Sequence, residues 1–390
     1  MTVPASTTVF DCDSHLFEYR SLWLDHLPVA DHHLALRIVD DDLGYPTLRF
    51  GEDGAADFLC WVSDPSDPEI GSIEQWTKGF RSRTPAPRSY DEFPDAAYWD
   101  PGARVARLDD WGIDKMVTFP QWGLSFERVI GGDIDGQHLN MSAWNRWAVT
   151  VASVGGGRLY PAGHVSLQGD DVWLETELAA LAEGGVRLAI ATPGLSNGRR
   201  LSHPDLDRVW SMFEHFDIAL IWHTSNGEPT SVAPAWFGDE GPIYISAVES
   251  PFKAVPVQLC LTDMTLNGVF EAHPRMRVGV AEFFPSGWLP AFLDKLDRAP
   301  RLHRVFNGYE RRPSLSLAPS DYIRRQVRFT VFAHEDPELM ARRAGDVFAY
   351  GGDYPHAEGL ASPYHDFVEL AGSTSTAGLF GRNASFLTGV

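Results

Sequence analysis

Short apolar, β-leaning runs alternate along this chain with longer amphipathic stretches. Thr7–Asp13 predicts a first strand and Leu22–Leu27 a short helix. After a long irregular stretch, Ala103–Trp111 predicts a helix and Lys115–Phe119 a second strand. In Gln137–Ser153 the apolar Leu139, Trp144, Trp147, Val149 and Val151 are interleaved with polar residues at helical spacing. Strands are then expected near Leu159–Val165, Val186–Ile190, Ile218–His223, Arg277–Glu282, Arg328–Phe332 and Val347–Tyr350. Helices are expected between them at Asp171–Ala182, His203–Phe216, Gln258–Ala272 and Leu289–Leu296. Short apolar strands separated by helices are the mark of a parallel sheet buried on both faces. Their number is compatible with the roughly eight strands of a (β/α)8 TIM barrel, an α/β fold.

The alternation is interrupted twice, at about 40–98 and at 224–250, where Pro, Gly and Asp accumulate. The density of Phe58, Trp61, Trp76 and Phe80 in the first segment favours a folded insertion. No internal repeat and no linker is evident, so a single domain over 1–390 is expected.

Composition narrows the function classes. A hydrophobic content of 44% over 390 residues allows a large core. A formal net charge of -21 argues against a nucleic-acid partner, which needs a clustered Lys/Arg surplus, and against adsorption to anionic membranes. The three cysteines, Cys12, Cys60 and Cys260, are too few and too scattered for a disulfide framework or a thiolate cage. Met1–Thr8 lacks a basic region followed by an apolar stretch, so a cytoplasmic location is the expectation.

Polar clusters cap the strands at both ends of the chain: Asp11-Cys12-Asp13-Ser14-His15 after the first, Gly351-Gly352-Asp353-Tyr354-Pro355-His356 after the last. A closed barrel brings first and last strands together, and barrel chemistry sits at the C-terminal strand ends. Asp13 and His15 stand two apart, on one face of a strand, while His223 ends strand five and Asp353 strand eight. Two imidazoles and two carboxylates suit a divalent ion, zinc ahead of manganese, with a position left open for water or substrate. Glu282, ending strand six, is the acid/base candidate. His164, Trp222, Trp288 and His334 are candidates for substrate contact around the mouth. Taken singly, each of these residues is ordinarily a turn, cap or core residue. Their recurrence at one face of one barrel is what points to a site. Glu18 caps a helix or supports His15. Gly194-Leu195-Ser196-Asn197-Gly198 matches a nucleophile-elbow pattern, but it opens into a polar turn instead of a helix.

These pieces resemble the amidohydrolase-2 branch of the metal-dependent amidohydrolases, which includes aminocarboxymuconate-semialdehyde decarboxylase. The resemblance runs through Asp11–Glu18, His203–Trp210, Trp222-His223, Gly268–Arg277, Trp288-Leu289-Pro290 and Tyr350–His356, in family order over nearly the whole chain. It implies a distorted (β/α)8 barrel holding one zinc or manganese, with His15, His223 and Asp353 as ligands, and a homodimer. Two positions depart from the family pattern. Asp13-Ser14-His15 stands where His-x-His or Glu-x-His is usual, and Glu282 stands where several members carry a catalytic histidine.

The leading expectation is a metal-dependent, non-oxidative decarboxylase of a small carboxylate-bearing substrate, aromatic or polyketide-like, with Glu282 protonating the carbon that loses CO2. The alternative on the same scaffold is a metal-dependent hydrolase of an amide, ester or C–C bond, with Asp353 as base. A non-catalytic binding protein is the rival from another class.

Overall fold

The computed structural model describes residues 8–52, 54, 58–61, 73–92, 95–224, 232–233, 236, 249–307, 314–356, 359–371 and 378–390. Its strands are β1 (Phe10–Asp11), β2 (His15–Leu16), β3 (Leu36–Asp40), β4 (Pro46–Phe50), β5 (Phe58–Leu59), β6 (Lys115–Pro120), β7 (Leu159–His164), β8 (Leu188–Ile190), β9 (Ala219–His223), β10 (Val278–Ala281), β11 (Val327–Val331) and β12 (Phe348–Tyr350). The order β1-β6-β7-β8-β9-β10-β11-β12 is parallel throughout, with β2 also on β6, and gives the eight positions of a (β/α)8 barrel. The two ends of the chain are joined by hydrogen bonds. Cys12 N donates to Tyr350 O at 2.9 Å, His15 N to Tyr354 O at 2.7 Å, and Asp353 N to Asp13 O at 2.7 Å.

Side chains alternate along the strands, as a pleated backbone requires. Val117, Phe119, Ala162, Leu188, Ile190, Ala219, Ile221, Ala281 and Ala349 form an inner cluster. Their neighbours Met116, Ala189, Leu220, Trp222, Val280, Phe329, Val331 and Tyr350 belong to the larger core shared with the helices. The first strand breaks this alternation. Instead of one run over Thr7–Asp13 it forms β1, is interrupted, and resumes as β2. The Asp11 carboxylate holds the interruption by accepting from Asp13 N (3.1 Å), Gly352 N (3.0 Å) and the Tyr350 hydroxyl (2.9 Å). An irregularity of this kind re-aims side chains. Phe10 and Cys12 face the inner cluster, and so do Asp13 and His15 beyond the break.

The segment read as an insertion from about 40 begins at Leu36. It forms the antiparallel sheet β3-β4-β5, followed by a helix at Ile73–Ser82. Asn140 ties the sheet to the long helix Ile134–Gly155, accepting from Leu36 N and donating to Leu34 O. The expected insertion at 224–250 lies almost entirely outside the described residues.

Two further expectations differ from the structure. The helix expected over Gln258–Ala272 is two helices, Val255–Leu266 and Val269–Ala272, because Gly268 turns the chain at φ +86°. The helix expected at Leu289–Leu296 continues to Asn307. Among the described residues no helix is long and apolar enough to cross a membrane.

Candidate metal centre at the barrel mouth

The barrel brings Asp13, His15, His223 and Asp353 together, and adds His356. All five are buried. In each of two triads, Asp13/His15/His223 and His15/Asp353/His356, the donor atoms lie within 4.8 Å of one another. His15 Nε2 is 3.3 Å from Asp353 Oδ1 and 3.8 Å from Asp13 Oδ1. His223 Nε2 is 3.4 Å from Asp13 Oδ1, and His356 Nδ1 is 2.8 Å from Asp353 Oδ1. Donors bonded at about 2.1 Å to one ion stand roughly 3–3.5 Å apart around it.

Local bonds fix which ring nitrogen faces the centre. His15 Nδ1 donates to Pro120 O at 3.0 Å and His223 Nδ1 to Thr224 O at 2.9 Å, so in each ring it is Nε2 that turns a lone pair inward. His356 Nε2 donates to Gln121 Oε1 at 2.7 Å, which turns its Nδ1 inward. Imidazole lone pairs therefore face carboxylate oxygens, and acceptors facing acceptors need a cation or shared protons between them. His15 does not supply such a proton, because burial and the neighbouring His356 push it down to about 4. Burial opposes charge on His223 as well, yet Asp13 beside it carries its pKa above the ordinary histidine value. Asp353 is likewise buried, but His356 and His15 hold it below the usual carboxylate range. His15 Nε2 and both Asp353 oxygens remain buried without a hydrogen bond. The donor set fits a divalent cation.

The surroundings hold these donors in place. Thr330 donates to Asp13 Oδ2 at 3.3 Å and accepts from Glu282 N at 2.9 Å. Arg104, fully buried, donates to His15 O at 2.7 Å and to Ala97 O at 2.8 Å. A Cβ on Gly351 would lie 2.9 Å from Asp13 Cβ, and one on Gly352 would lie 2.5 Å from Asp11 Oδ2. The paired glycines before Asp353 thus let the last strand approach the first.

No protein-family profile matches the sequence, and no curated protein matches it. Solved structures do resemble it in fold. An amidohydrolase, map2389c from Mycobacterium avium subsp. paratuberculosis K-10, superposes with a TM-score of 0.75 at 20% identity, covering 98% of this chain and 99% of that one. This chain shares the (β/α)8-barrel fold of that protein. A 5-carboxyvanillate decarboxylase from Novosphingobium aromaticivorans, solved with manganese and 4-hydroxy-3-methoxy-5-nitrobenzoic acid, gives 0.63 at 17% identity, covering 99% and 97%. A 2,6-dihydroxybenzoate decarboxylase from Rhizobium gives 0.59 at 14% identity, covering 98% and 99%.

Within this barrel the other residues singled out by sequence fall in different places. Glu282 lies next to His223, its Oε2 3.7 Å from Nδ1, the ring nitrogen turned away from the centre, on a backbone at φ +61°. His164 ends β7 facing inward and meets Glu127 at 3.0 Å. Trp222 does not wall the mouth. It neighbours His223 on β9, so it points the other way, into the strand–helix core. Trp288 donates to Phe283 O at 2.8 Å and packs on Phe292 and Phe329, also on the outer side. His334 is exposed and stacks on Phe332.

Glu18 supports the loop after β6, not His15, accepting from Trp122 N at 3.0 Å and Gly123 N at 2.8 Å. Ser196 donates to Leu167 O in a tight turn and is no elbow nucleophile. Sequence reasoning missed Asp11, Arg104 and Glu127. Only Asp11 carried a signal, its place in the same polar cluster as Asp13.

Proposed function

We propose that this chain is a metal-dependent decarboxylase of the amidohydrolase-2 family, acting on a small, aromatic-type carboxylic acid. The observation that carries the reading is the pair of buried histidine–carboxylate triads, Asp13/His15/His223 and His15/Asp353/His356, that share His15 at the barrel mouth. Two of the structures sharing this fold are decarboxylases of hydroxylated aromatic acids by name, and one of them holds manganese.

His15, His223, Asp353 and Asp13 are the residues that would hold a zinc or manganese ion, with His356 at the edge of the set. A divalent ion there supplies a Lewis acid for a substrate carboxylate and an adjacent oxygen. The chain's own residues do the rest. Phe119 lies against His15 and His223, and Trp61, carried by the inserted segment, lies 5.7 Å from His356. These aromatic walls exclude water around the reacting carbon. Glu282 then delivers a proton to that carbon as its bond to the carboxyl carbon breaks and CO2 leaves, and it is reprotonated from solvent.

A hydrolase reading also has support, since the TM-score of 0.75 belongs to a protein named an amidohydrolase. In that case Asp353, with both oxygens lacking hydrogen bonds, would act as base. Elemental analysis of purified protein, with His223→Ala and Asp353→Asn beside wild type, is the first test. Near-stoichiometric zinc or manganese, lost in both variants, supports the centre. CO2 release from hydroxybenzoates, set against product formation from esters and amides, then separates the two activities. No metal in any sample, even after reconstitution, sinks both.

A further inference from the structure

The arc of the ring between β6 and β9 contributes no donor to the metal centre, yet it carries a polar cluster of its own. Glu127, on the short helix Phe126–Ile130 that follows β6, reaches over the ends of β7 and β8. Its Oε1 accepts from the Thr192 hydroxyl at 3.0 Å and lies 3.0 Å from His164 Nε2. Ala162 on β7 faces the inner cluster and His164 shares its parity, so His164 points into the mouth, while Thr192 follows β8 and is tied to the same carboxylate. His164 is fully buried. Glu127 Oε2 is buried and has no hydrogen bond.

We infer that Glu127, held by His164 and Thr192, binds a hydrogen-bond donor on the substrate, a hydroxyl or an ammonium group, at the part remote from the metal. This rests on the decarboxylase reading above. A buried carboxylate oxygen without a partner is satisfied by a donor, and one that enters with the ligand gives specificity. Charge points the same way. The mouth carries Asp13, Asp353, Glu282 and Glu127, while the inward strand-end positions among the described residues carry no Lys or Arg. One carboxylate can be taken by the metal; among the described residues, a second anionic group on the substrate would face the carboxylates of Glu282 and Glu127.

The test is calorimetric binding of benzoate and of its 3- and 4-hydroxy, aminomethyl and methoxy derivatives to manganese-loaded protein. At one ring position the hydroxy or aminomethyl compound should bind at least tenfold tighter than its methoxy counterpart, and which of the two does so tells hydroxyl from ammonium. In Glu127→Leu, or in Glu127→Gln should the first fail to fold, that preference should fall below about twofold with manganese stoichiometry and benzoate affinity unchanged. Persistence of the preference in the variants overturns the inference. So does its absence from wild type, including the case in which none of the benzoates binds. Binding is read without turnover, so a protein that shows the preference but releases no CO2 loses only the decarboxylase reading.

Discussion

Asp13 and Glu282 occupy the two positions where this chain departs from the family it resembles, and the structure gives each a distinct surrounding. Asp13 is short, but the break between β1 and β2 turns it inward, and Thr330 at 3.3 Å from Oδ2 leaves Oδ1 facing His223. Asp13→Asn keeps the shape and removes the charge. Chelator competition should show metal affinity lowered by about 10–100-fold, and an unchanged affinity would remove Asp13 from the centre. Glu282 sits at φ +61°, a backbone conformation that costs a non-glycine residue on the order of 1 kcal/mol and that folds tolerate chiefly at functional positions. Glu282→Gln should leave bound metal at wild-type stoichiometry while lowering turnover by about 100-fold or more. A variant that keeps its turnover would move the proton donor elsewhere.

At the scale of elements, the loops that connect strand ends carry as much of the site as the strands do. Glu18 anchors the loop after β6 through two backbone N–H groups, and burial pushes its carboxyl up to about 7 from 4.5. The folded protein therefore keeps a proton there that the unfolded chain has released, and stability falls as pH rises from about 4.5 through about 7, by at most about 3 kcal/mol for this group. Asp11, raised to about 7 by burial, adds the same slope. Thermal midpoints measured from pH 5 to 8 should fall less steeply in Glu18→Gln than in wild type; parallel curves would contradict the assignment. Gly352→Ala should lower the midpoint by the equivalent of about 1–3 kcal/mol, because its Cβ would meet Asp11 Oδ2 and Pro363 Cβ. The strand-end donors are legible in the sequence because they recur at the C-terminal ends of several strands of one barrel, although each alone is ordinarily a turn or cap residue. Trp222, expected at the mouth, adjoins His223 in sequence but faces the strand–helix core, because adjacent strand residues point to opposite sides. Glu127 gave no local signal. Its partners His164, at the end of β7, and Thr192, just past β8, are distant in sequence, and only the closed ring brings them within reach.

Over the whole molecule, the centre and the closure of the barrel are built from the same residues. Asp13 and His15 come from the first strand position, His223 from the fifth and Asp353 from the eighth, and the hydrogen bonds joining the chain's ends run through Asp13, His15 and Asp353 themselves. Without a cation, the carboxylates and imidazoles of this seam depend on shared protons. With one, the same atoms are bound to a common partner, and the folded state gains by mass action over an unfolded chain in which the donors are dispersed. At free metal about 100-fold above Kd the gain is about 2.7 kcal/mol, a shift of a few degrees for a chain of this size. Removing metal with a chelator should therefore lower the thermal midpoint, and zinc or manganese should restore it. His223→Ala is the discriminating control, since it deletes a donor that lies across the ring from the seam and leaves the end-to-end hydrogen bonds intact. Its midpoint should no longer respond to metal. If wild type and His223→Ala gain equally, the stabilising ion binds elsewhere and the seam is held by the protein's own hydrogen bonds alone.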